Sequence, residues 1–454
     1  MRKSAVWVRF HGRLAAIFFL VGLIAGWESL GYDWNWDDLH LIRRYSSQEL
    51  LATLSGPWDP DAIETSGLRP GTTLFNHVRA AAFGERVVLH RLSLLALFAV
   101  YLALLGALAV KLGAPESVAL IAGVLAVAAK NNYYHYIWIS DGVHVLQALF
   151  LVIATHVMLR YLAGGPPWTA VAALAFAALA LATREDSLAI FPVMILVAIY
   201  FVNRVSDGSS TNRIRIPPRL RTFALGLMGV GAGFWMWRRI VIPGAAQFSP
   251  DADALTGVLE TIGWTVGLAG QQPILVRTAF MAVGVAAVAA LMLLDPADRR
   301  RASLWLLAAL GTTMIGSVEA RMNLLIFPIS FYVLFLASVA VALTRHRVLF
   351  RVAAGMLVVA MSVLSLRASR LEQLSLHPLS ADQIHRDWEF IYGPRRAATI
   401  PAVRRQQLEA KLLRLGVTAP DFDFDRWEDD VRQNGRRTPS RAGLFLANRR
   451  FLEP

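Results

Sequence analysis

The sequence contains no cysteine and few charged residues for its length. With no cysteine among 454 residues, disulfide bonds, thiolate metal sites and cysteine nucleophiles are excluded, although the compartment is left open. Only 17% of the residues are charged, whereas 56% are hydrophobic. A soluble domain of this size could hardly bury so much apolar surface, so the composition indicates a membrane protein.

The charge that is present is mainly positive. A formal net charge of +13 could suggest nucleic acid as a partner. In a polytopic membrane protein, however, arginines beside apolar segments usually report orientation, so we expect membrane lipids and no nucleic acid. The basic start "MRKSAVWVRFHGR" and the apolar run after it are similar to a signal peptide, but Trp27 and Glu28 stand where small cleavage-site residues are needed. We therefore predict an uncleaved signal anchor that forms the first transmembrane helix.

Apolar runs of roughly the 17–25 residues that cross a bilayer recur along the chain. They predict an all-α polytopic membrane protein with a transmembrane domain over 1–366 and a polar, external region over 367–454. Within that region, residues 401–416 show the period of an amphipathic helix, with Gly416 as a C-cap. The runs give about eleven spans, near 14–30, 87–110, 117–129, 143–162, 168–183, 187–203, 222–241, 274–294, 302–317, 322–344 and 350–366.

The loops between these spans alternate in composition, as the positive-inside rule requires. With the amino terminus in the cytoplasm, the inside loops are arginine-rich, and residues 203–221 carry five arginines and one acid. The opposite loops carry acids, amides and aromatic residues, and the carboxyl terminus falls outside. The first of these external loops, residues 31–86, is the longest.

Three carboxylates stand at the start of that loop, in "GYDWNWDDLHLIRRY" (residues 31–45). Asp33, Asp37 and Asp38 lie directly after the first apolar segment. A carboxylate pair there could deprotonate an incoming hydroxyl or hold a divalent metal against phosphate. The alternatives are a solvated turn and a helix cap provided by Asp37 or Asp38.

Other external segments supply arginines, acids and a histidine. Arg69 precedes a proline in "GLRPGTTLFNHVRAAAFG" and suits bidentate phosphate contact, although the segment could simply be a turn and an interfacial helix. The aromatic rings of residues 130–142 suit a belt at the membrane interface. Further candidates for binding or proton transfer, which could equally form structural ion pairs or caps, are His135, Asp141, Arg184, Glu185, Asp186, Glu319 and Arg321.

On these residues the chain resembles the GT-C superfamily of polytopic glycosyltransferases, and within it the protein O-mannosyltransferase type and its bacterial relatives. The similar segments are "WDDLHLIRRYSSQELL", "LRPGTTLFNHVRAAAFGERVVLHRLSLLAL", "LATREDSLAIFPVMILVAIY" and "EARMNLLIFPISFYVLFLA". They cover most of residues 1–344. The pair is Asp-Asp here, where many members have Asp-Glu, and residues 367–454 lie outside the resemblance, so it does not indicate the acceptor.

The resemblance implies an inverting enzyme that moves a sugar from a polyprenyl phosphate to an acceptor hydroxyl outside the cytoplasm. It implies that Asp37 or Asp38 is the general base and that Arg69 contacts the donor phosphate, with Arg184 or Arg321 assisting. The acceptor could be a protein, a lipid or a glycan, and a bacterial inner membrane is the expected location. A divalent metal could lie among Asp37, Asp38, Glu185 and Glu319, which could equally pair with arginines.

Three other interpretations stay open at the level of sequence. A transporter or flippase places ionisable residues near the bilayer midplane and often shows inverted repeats. An O-antigen polymerase or ligase is also polytopic, with arginines outside. The chain could also be a structural partner with a degenerate glycosyltransferase fold.

Overall fold

The structure is a computed structural model that describes residues 2–35, 37–61, 67–206, 216–242, 262, 283–313, 326–344, 359, 381–392, 400–415 and 417. Within these residues every regular element is helical, which confirms the predicted all-α class. The longer helices, joined in places by single turns of 3-10 helix, are α1 (Arg2–Gly26), α2 (Asp38–Leu41), α3 (Ser47–Ala52), α4 (Pro70–Phe83), α5 (Val87–Lys111), α6 (Glu116–Ala128), α7 (Tyr134–Ile137), α8 (Val143–Leu162), α9 (Trp168–Thr183), α10 (Phe191–Ser206), α11 (Pro218–Val241), α12 (Val283–Leu293), α13 (Pro296–Thr313), α14 (Ile326–Leu343), α15 (Ala381–Tyr392) and α16 (Ala402–Arg414).

Among the residues that the structure describes, five helical segments are long and apolar enough to cross a membrane, so the chain has the character of an integral membrane protein. They are Phe10–Gly31, Val87–Lys111, Ser140–Leu162, Glu185–Arg204 and Ile326–Leu343. Helices α6, α9 and α12 are apolar but shorter. Helix α6, for example, has 13 residues, which amounts to about 20 Å of helix against a hydrocarbon core of about 30 Å.

The predicted number of spans is not confirmed. Helices α11 and α13 lie where two further spans were expected, but they are not among the five apolar segments. The first turns of α13 carry Asp298 and three arginines, which shortens its apolar part. The predicted span over 350–366 lies outside the described residues, apart from residue 359.

Small residues let the helices approach one another closely. A side chain added at Gly123 on α6 would meet the ring of Phe18 on α1, and one added at Gly106 on α5 would come within 2.9 Å of the Ala119 side chain. Close packing at small residues is how helices associate when lipid tails remove the hydrophobic driving force. Helices α1, α5 and α6 therefore form one tight group.

The connecting loops gather at two ends of the helix bundle. At one end, Lys111 Nζ donates to His156 O at 3.4 Å, Arg204 Nη1 donates to Lys111 O at 3.3 Å, and Arg219 Nη1 donates to Tyr161 O at 2.8 Å. Residues near 111, 156–165, 204 and 219, which the alternation of loops assigns to the cytoplasmic side, are thus together. The loops that it assigns to the outside meet at the other end, described below.

Helices α15 and α16 form a second small core with the loop that follows α1. Trp34, Leu39 and Ile42 of the loop pack with Ile384 and Phe390 of α15 and with Leu408 and Leu412 of α16. The predicted amphipathic helix over 401–416 is therefore present as α16, with a charged residue as well as Leu408 and Leu412 on its buried face. Val403 is 55% exposed, whereas the neighbouring Arg404 is buried. Gly416, the predicted C-cap, lies outside the described residues.

Candidate active site

A buried arginine fixes the loop that follows the first helix. Arg91 on α5 donates to the carbonyl oxygens of Leu30 (3.2 Å), Tyr32 and Asp33 (2.6 Å). Its Nε also donates to Ile137 O at 2.9 Å. A guanidinium buried in an apolar helix is costly unless it is hydrogen-bonded. Here its partners lie in two separate loops, which are thereby held to one helix.

The carboxylate of Asp38 is fully buried and accepts two backbone hydrogen bonds. Its Oδ1 accepts from Ser140 N at 2.6 Å, and its Oδ2 accepts from Asn35 N at 3.1 Å. Burial raises the pKa of Asp38, while the Ser140 amide and the nearby Arg91 charge oppose this shift. Asp38 therefore joins the first external loop to residues 139–142.

Asp37 occupies a different environment from its neighbour. It is half-buried and stands at the N-cap position of α2, where its side chain makes no capping hydrogen bond. The capping role considered for Asp37 is therefore not observed. Of the acidic pair, Asp37 is the more accessible carboxylate.

Asp33 faces outward at the start of the same loop. Its side chain is exposed, while its carbonyl oxygen is held by Arg91 as described. The Asp33 side chain lines a cleft between this loop and the carboxyl-terminal helices. The structure thus separates the three acids of the opening motif: Asp33 on the cleft, Asp37 half-buried and Asp38 inside.

Arg79 on α4 lies beside the Asp38 carboxylate. Its Nη1 donates to Ile139 O at 2.9 Å, next to the amide that binds Asp38. Burial lowers the pKa of Arg79 to about 9, and the charge of Asp38 partly offsets this, so the guanidinium is still protonated at neutral pH. Among the described residues no hydrogen-bond partner meets Arg79 Nε or Nη2, nor the amide atoms of Asn76 one turn earlier. Buried donors of this kind bind a polar ligand or ordered water strongly.

Two histidines flank the predicted acid Asp141. His135 Nδ1 lies 2.9 Å from Asp141 Oδ2, and His144 Nε2 lies 3.2 Å from Asp141 Oδ1. All three side chains are buried. His135, which the sequence marked as a candidate base or ligand, therefore belongs to a buried His–Asp–His group.

The aromatic residues near His135 differ from the expected interfacial belt. Tyr133 and Tyr136 are fully buried, and the Tyr136 ring stacks on Phe98 with centroids 5.6 Å apart. Tyr134 and Trp138 are partly exposed. Hydropathy cannot distinguish a ring that faces lipid from one that packs between helices, and here two of the four pack inside.

The predicted triplet Arg184, Glu185 and Asp186 divides into two ion-pair groups. Arg184 Nε lies 3.2 Å from Asp186 Oδ2. The other oxygen of that carboxylate, Asp186 Oδ1, accepts a hydrogen bond from Gln147 Nε2 at 2.6 Å. Glu185 Oε1 accepts from Leu68 N at 2.6 Å and from Arg238 Nε at 2.8 Å.

Arg69, the predicted phosphate ligand, adjoins the second group. Its Nη2 lies 3.8 Å from Glu185 Oε2, and its side chain is 22% exposed. The structural ion pairs considered for residues 184–186 are thus present, and they hold Arg69 beside them.

These groups are joined by a path of contacts that runs through α8. Asp38 binds the Ser140 amide, Asp141 contacts His144, and Gln147 lies one turn further along α8 and binds Asp186. Residues three apart on a helix share a face. The acidic loop and the loops that carry Arg184 and Arg69 therefore meet at one end of the bundle.

Several residues of this network were not identified from the sequence. Arg91, His144 and Gln147 stand within apolar helices, where a polar side chain is itself a signal of function or pairing. Arg79, Arg238 and Arg404 gave no such signal, because an arginine near a helix end usually marks a solvated or lipid-facing surface.

Two predicted residues, Glu319 and Arg321, lie outside the described residues. In the part of the chain that is described, no group of three or more histidine, aspartate or glutamate side chains could hold a metal ion. We therefore assign no metal ligand here, and the divalent metal stays a prediction.

Comparison of the chain with protein-family models, with curated proteins and with solved structures gives no match. The likeness to GT-C glycosyltransferases therefore depends on the sequence motifs quoted above. What the chain and its structure establish together is a protein of integral membrane character whose described part is helical, with a buried polar network at one end of the bundle.

Proposed function

We propose that the protein is an inverting glycosyltransferase that takes a sugar from a polyprenyl-phosphate donor and delivers it to an acceptor hydroxyl at the non-cytoplasmic membrane face. The proposal includes a GT-C-like bundle of about eleven spans in a bacterial inner membrane, with the amino terminus inside and the carboxyl terminus outside. The resemblance of the motifs motivates it.

One observation carries this proposal. The Asp38 carboxylate and the amide of Ser140 lie 2.6 Å apart, and the Leu68 amide lies 2.6 Å from Glu185, so three loops distant in sequence meet at one end of the bundle. A transfer between a lipid-linked anion and a polar acceptor needs carboxylates and guanidinium groups together at a membrane surface. That combination is what the three loops supply.

The two aspartates suit different roles in such a reaction. Asp37 is half-buried, and we assign it as the general base that takes the proton of the acceptor hydroxyl. Asp38 is held by two backbone amides and acts as a positioning residue that fixes the loop. The sequence left the base open between Asp37 and Asp38. We assign it to Asp37 because Asp37 is the less buried of the two.

In the proposed step the acceptor oxygen forms a bond to the anomeric carbon as the bond from that carbon to the phosphate oxygen breaks. The hydroxyl proton passes to the Asp37 carboxylate, and the electron pair of the broken bond stays on the polyprenyl phosphate, which gains one negative charge. Arg69 and Arg184 are the predicted stabilisers of that charge. Arg79, with unused buried donors next to Asp38, is a further candidate.

The acids and arginines cluster at one end of the helix bundle, which favours a glycosyltransferase over a transporter or flippase. Transporters hold their ionisable groups near the bilayer midplane, at the interface of repeats. Here the connected acids and arginines lie in loops and at helix ends. An O-antigen polymerase or ligase shares the external arginines, and product analysis distinguishes it.

The test is incubation of the purified full-length protein with a panel of polyprenyl-phosphate sugars and mass spectrometry of the products. We expect release or transfer of one sugar by the wild type and a loss of at least about a hundredfold in Asp37→Asn, which is the usual contribution of a general base. Glu116→Gln, the same change of an exposed acid at the opposite end, should keep full activity. Full turnover in Asp37→Asn would refute the assigned mechanism, and no turnover with any donor would refute the function.

A further inference from the structure

A cleft lies between the first external loop and the two carboxyl-terminal helices, on the side of the loop that Asp33 faces. Its volume is about 380 Å³, within the range of small-molecule sites. The lining comes from two parts of the chain separated by more than 340 positions in sequence. The loop contributes Asp33 and Leu39, and helices α15 and α16 contribute Asp387, Gln407, Lys411 and Arg414 among others.

The floor of the cleft is a buried polar network. Lys411 Nζ lies 2.6 Å from Asp387 Oδ2, and Gln383 Nε2 donates to Asp387 Oδ1 at 2.9 Å. Burial raises the pKa of Asp387, Lys411 and Gln383 oppose this, and the charge of Asp33 raises the pKa further. A buried ion pair such as Lys411–Asp387 is weak evidence for stability. Because both residues line the cleft, the pair is placed to contact a ligand.

The mixture of donors and acceptors limits the class of ligand. Lys411 is paired with Asp387 and Arg404 with Glu85, so the remaining charges of the lining are those of Asp33 and Arg414, one of each sign. These two charges offset each other, and neither an anion nor an amine gains a clear net attraction. Hydroxyl groups both donate and accept hydrogen bonds, so they can pair with Asp33 on one side and with Gln407 or Arg414 on the other. The apolar atoms of Leu39 and Leu408 suit the C–H faces of a sugar ring.

The cleft is also close to the proposed base. Leu39, which lines it, is two residues from Asp37, so their Cα atoms are at most about 7 Å apart. Arg404, on the opposite wall, donates to the carbonyl oxygens of Asp38 and Leu39 at 2.9 Å each. A ligand in the cleft would therefore contact the same segment of chain that carries Asp37.

We infer that this cleft binds a neutral saccharide, namely the sugar part of a glycan acceptor, through Asp33, Gln407 and Arg414. The inference rests on the proposed glycosyltransferase function, which leaves the acceptor open among protein, lipid and glycan. It also gives the region from 381 to 417 a role in acceptor choice.

The test is saccharide binding by the full-length protein in a detergent without a sugar headgroup, measured by saturation-transfer-difference NMR. The probes are di- and trisaccharides of glucose, mannose, galactose and N-acetylglucosamine, with inorganic phosphate as the anionic comparison. We expect at least one saccharide to bind. In Gln407→Ala and Arg414→Ala its Kd should rise by about fivefold to tenfold, as loss of one or two hydrogen bonds requires.

Both residues are exposed on α16, so these variants keep the fold. The matched controls are Gln406→Ala and Arg405→Ala, exposed neighbours on the same helix that are not part of the lining, and their Kd should equal that of the wild type. Binding of phosphate in place of sugars, no binding of any saccharide, or an equal effect of lining and control variants would overturn the inference. Because this measurement needs no donor, it is independent of the Asp37→Asn assay, and either can fail while the other stands.

Discussion

At the scale of single residues, the pair Asp37 and Asp38 shows how burial separates two chemically identical side chains. Asp38 gives both oxygens to backbone amides, and each amide belongs to a different loop. Its neighbour keeps partial access to solvent. The sequence identified the pair as important but could not assign roles, because the backbone partner at Ser140 is 102 positions away.

We predict that Asp38→Asn reduces stability, whereas Asp37→Asn leaves stability unchanged. The amide group in Asp38→Asn turns an NH₂ donor toward one of the two backbone N–H groups, and an unsatisfied buried donor costs about 1–3 kcal/mol. Thermal unfolding of the purified protein should therefore show a lower Tm for Asp38→Asn only. Equal Tm values for the two variants would contradict the distinction drawn between a positioning acid and a base.

The stability contributed by Asp38 should also depend on pH. Because the pKa of this carboxyl is raised in the folded protein, the folded state binds the proton more tightly than the unfolded state does. This contribution to the free energy of unfolding is thus fully present below the unfolded-state pKa of 3.8. It is lost as the pH rises through the raised pKa of the folded state. We expect the Tm difference between wild type and Asp38→Asn to widen as the pH is lowered from 7 towards 4. A difference that narrows over this range would contradict the burial of Asp38.

At the scale of elements, one arginine attaches α16 to the loop of the proposed site. The Arg404 guanidinium donates to the carbonyl oxygens of Asp38, Leu39 and Ile42 and to both oxygens of Glu85, and it lies 3.8 Å over the Trp34 ring. The 3.6-residue period predicted the helix correctly. It could not predict that a charged side chain points inward, because periodicity assigns charged residues to the solvated face.

We predict that Arg404→Ala frees the loop and lowers both stability and sugar transfer. The substitution leaves the carbonyl oxygens of Asp38, Leu39 and Ile42 without their donor, and each unsatisfied buried group costs about 1–3 kcal/mol. Glu85 is 45% exposed, so the lost charge pairing itself adds little. Arg404→Lys should be nearly as harmful, because one ammonium cannot replace the guanidinium fork. Arg405→Ala, which loses an exposed pair with Glu409, should change stability by less than about 1 kcal/mol. Similar Tm values for the variants at 404 and 405 would argue against this attachment.

At the scale of the whole molecule, the alternation of loop charge predicts which loops share an end of the bundle, whereas the described residues do not fix the number of spans. The contacts of Lys111, Arg204 and Arg219 place residues near 111, 156–165, 204 and 219 at one end of the bundle. This is compatible with the predicted alternation of loops, while the side of the membrane on which that end lies stays a prediction. The number of spans cannot be counted from the length of apolar runs where helices are as short as α6 and α9. Neighbouring helices and loops can cover the polar ends of a short helix, which would otherwise be exposed to lipid.

The absence of cysteine makes the orientation of this bundle directly measurable. Single cysteines at Ser55, Ser117 and Gln406, all exposed positions, would each be the one thiol in the chain. Because α16 is bound to the first external loop, Ser55→Cys and Gln406→Cys must react from the same side of the membrane. The charge pattern places that side outside and Ser117 inside. A membrane-impermeant maleimide should therefore label Ser55→Cys and Gln406→Cys in intact cells, and Ser117→Cys after permeabilisation. If only Ser117→Cys reacts in intact cells, the orientation is the reverse of the predicted one and the proposed site lies in the cytoplasm. If only one of Ser55→Cys and Gln406→Cys reacts in intact cells, the result is incompatible with the Arg404 contacts.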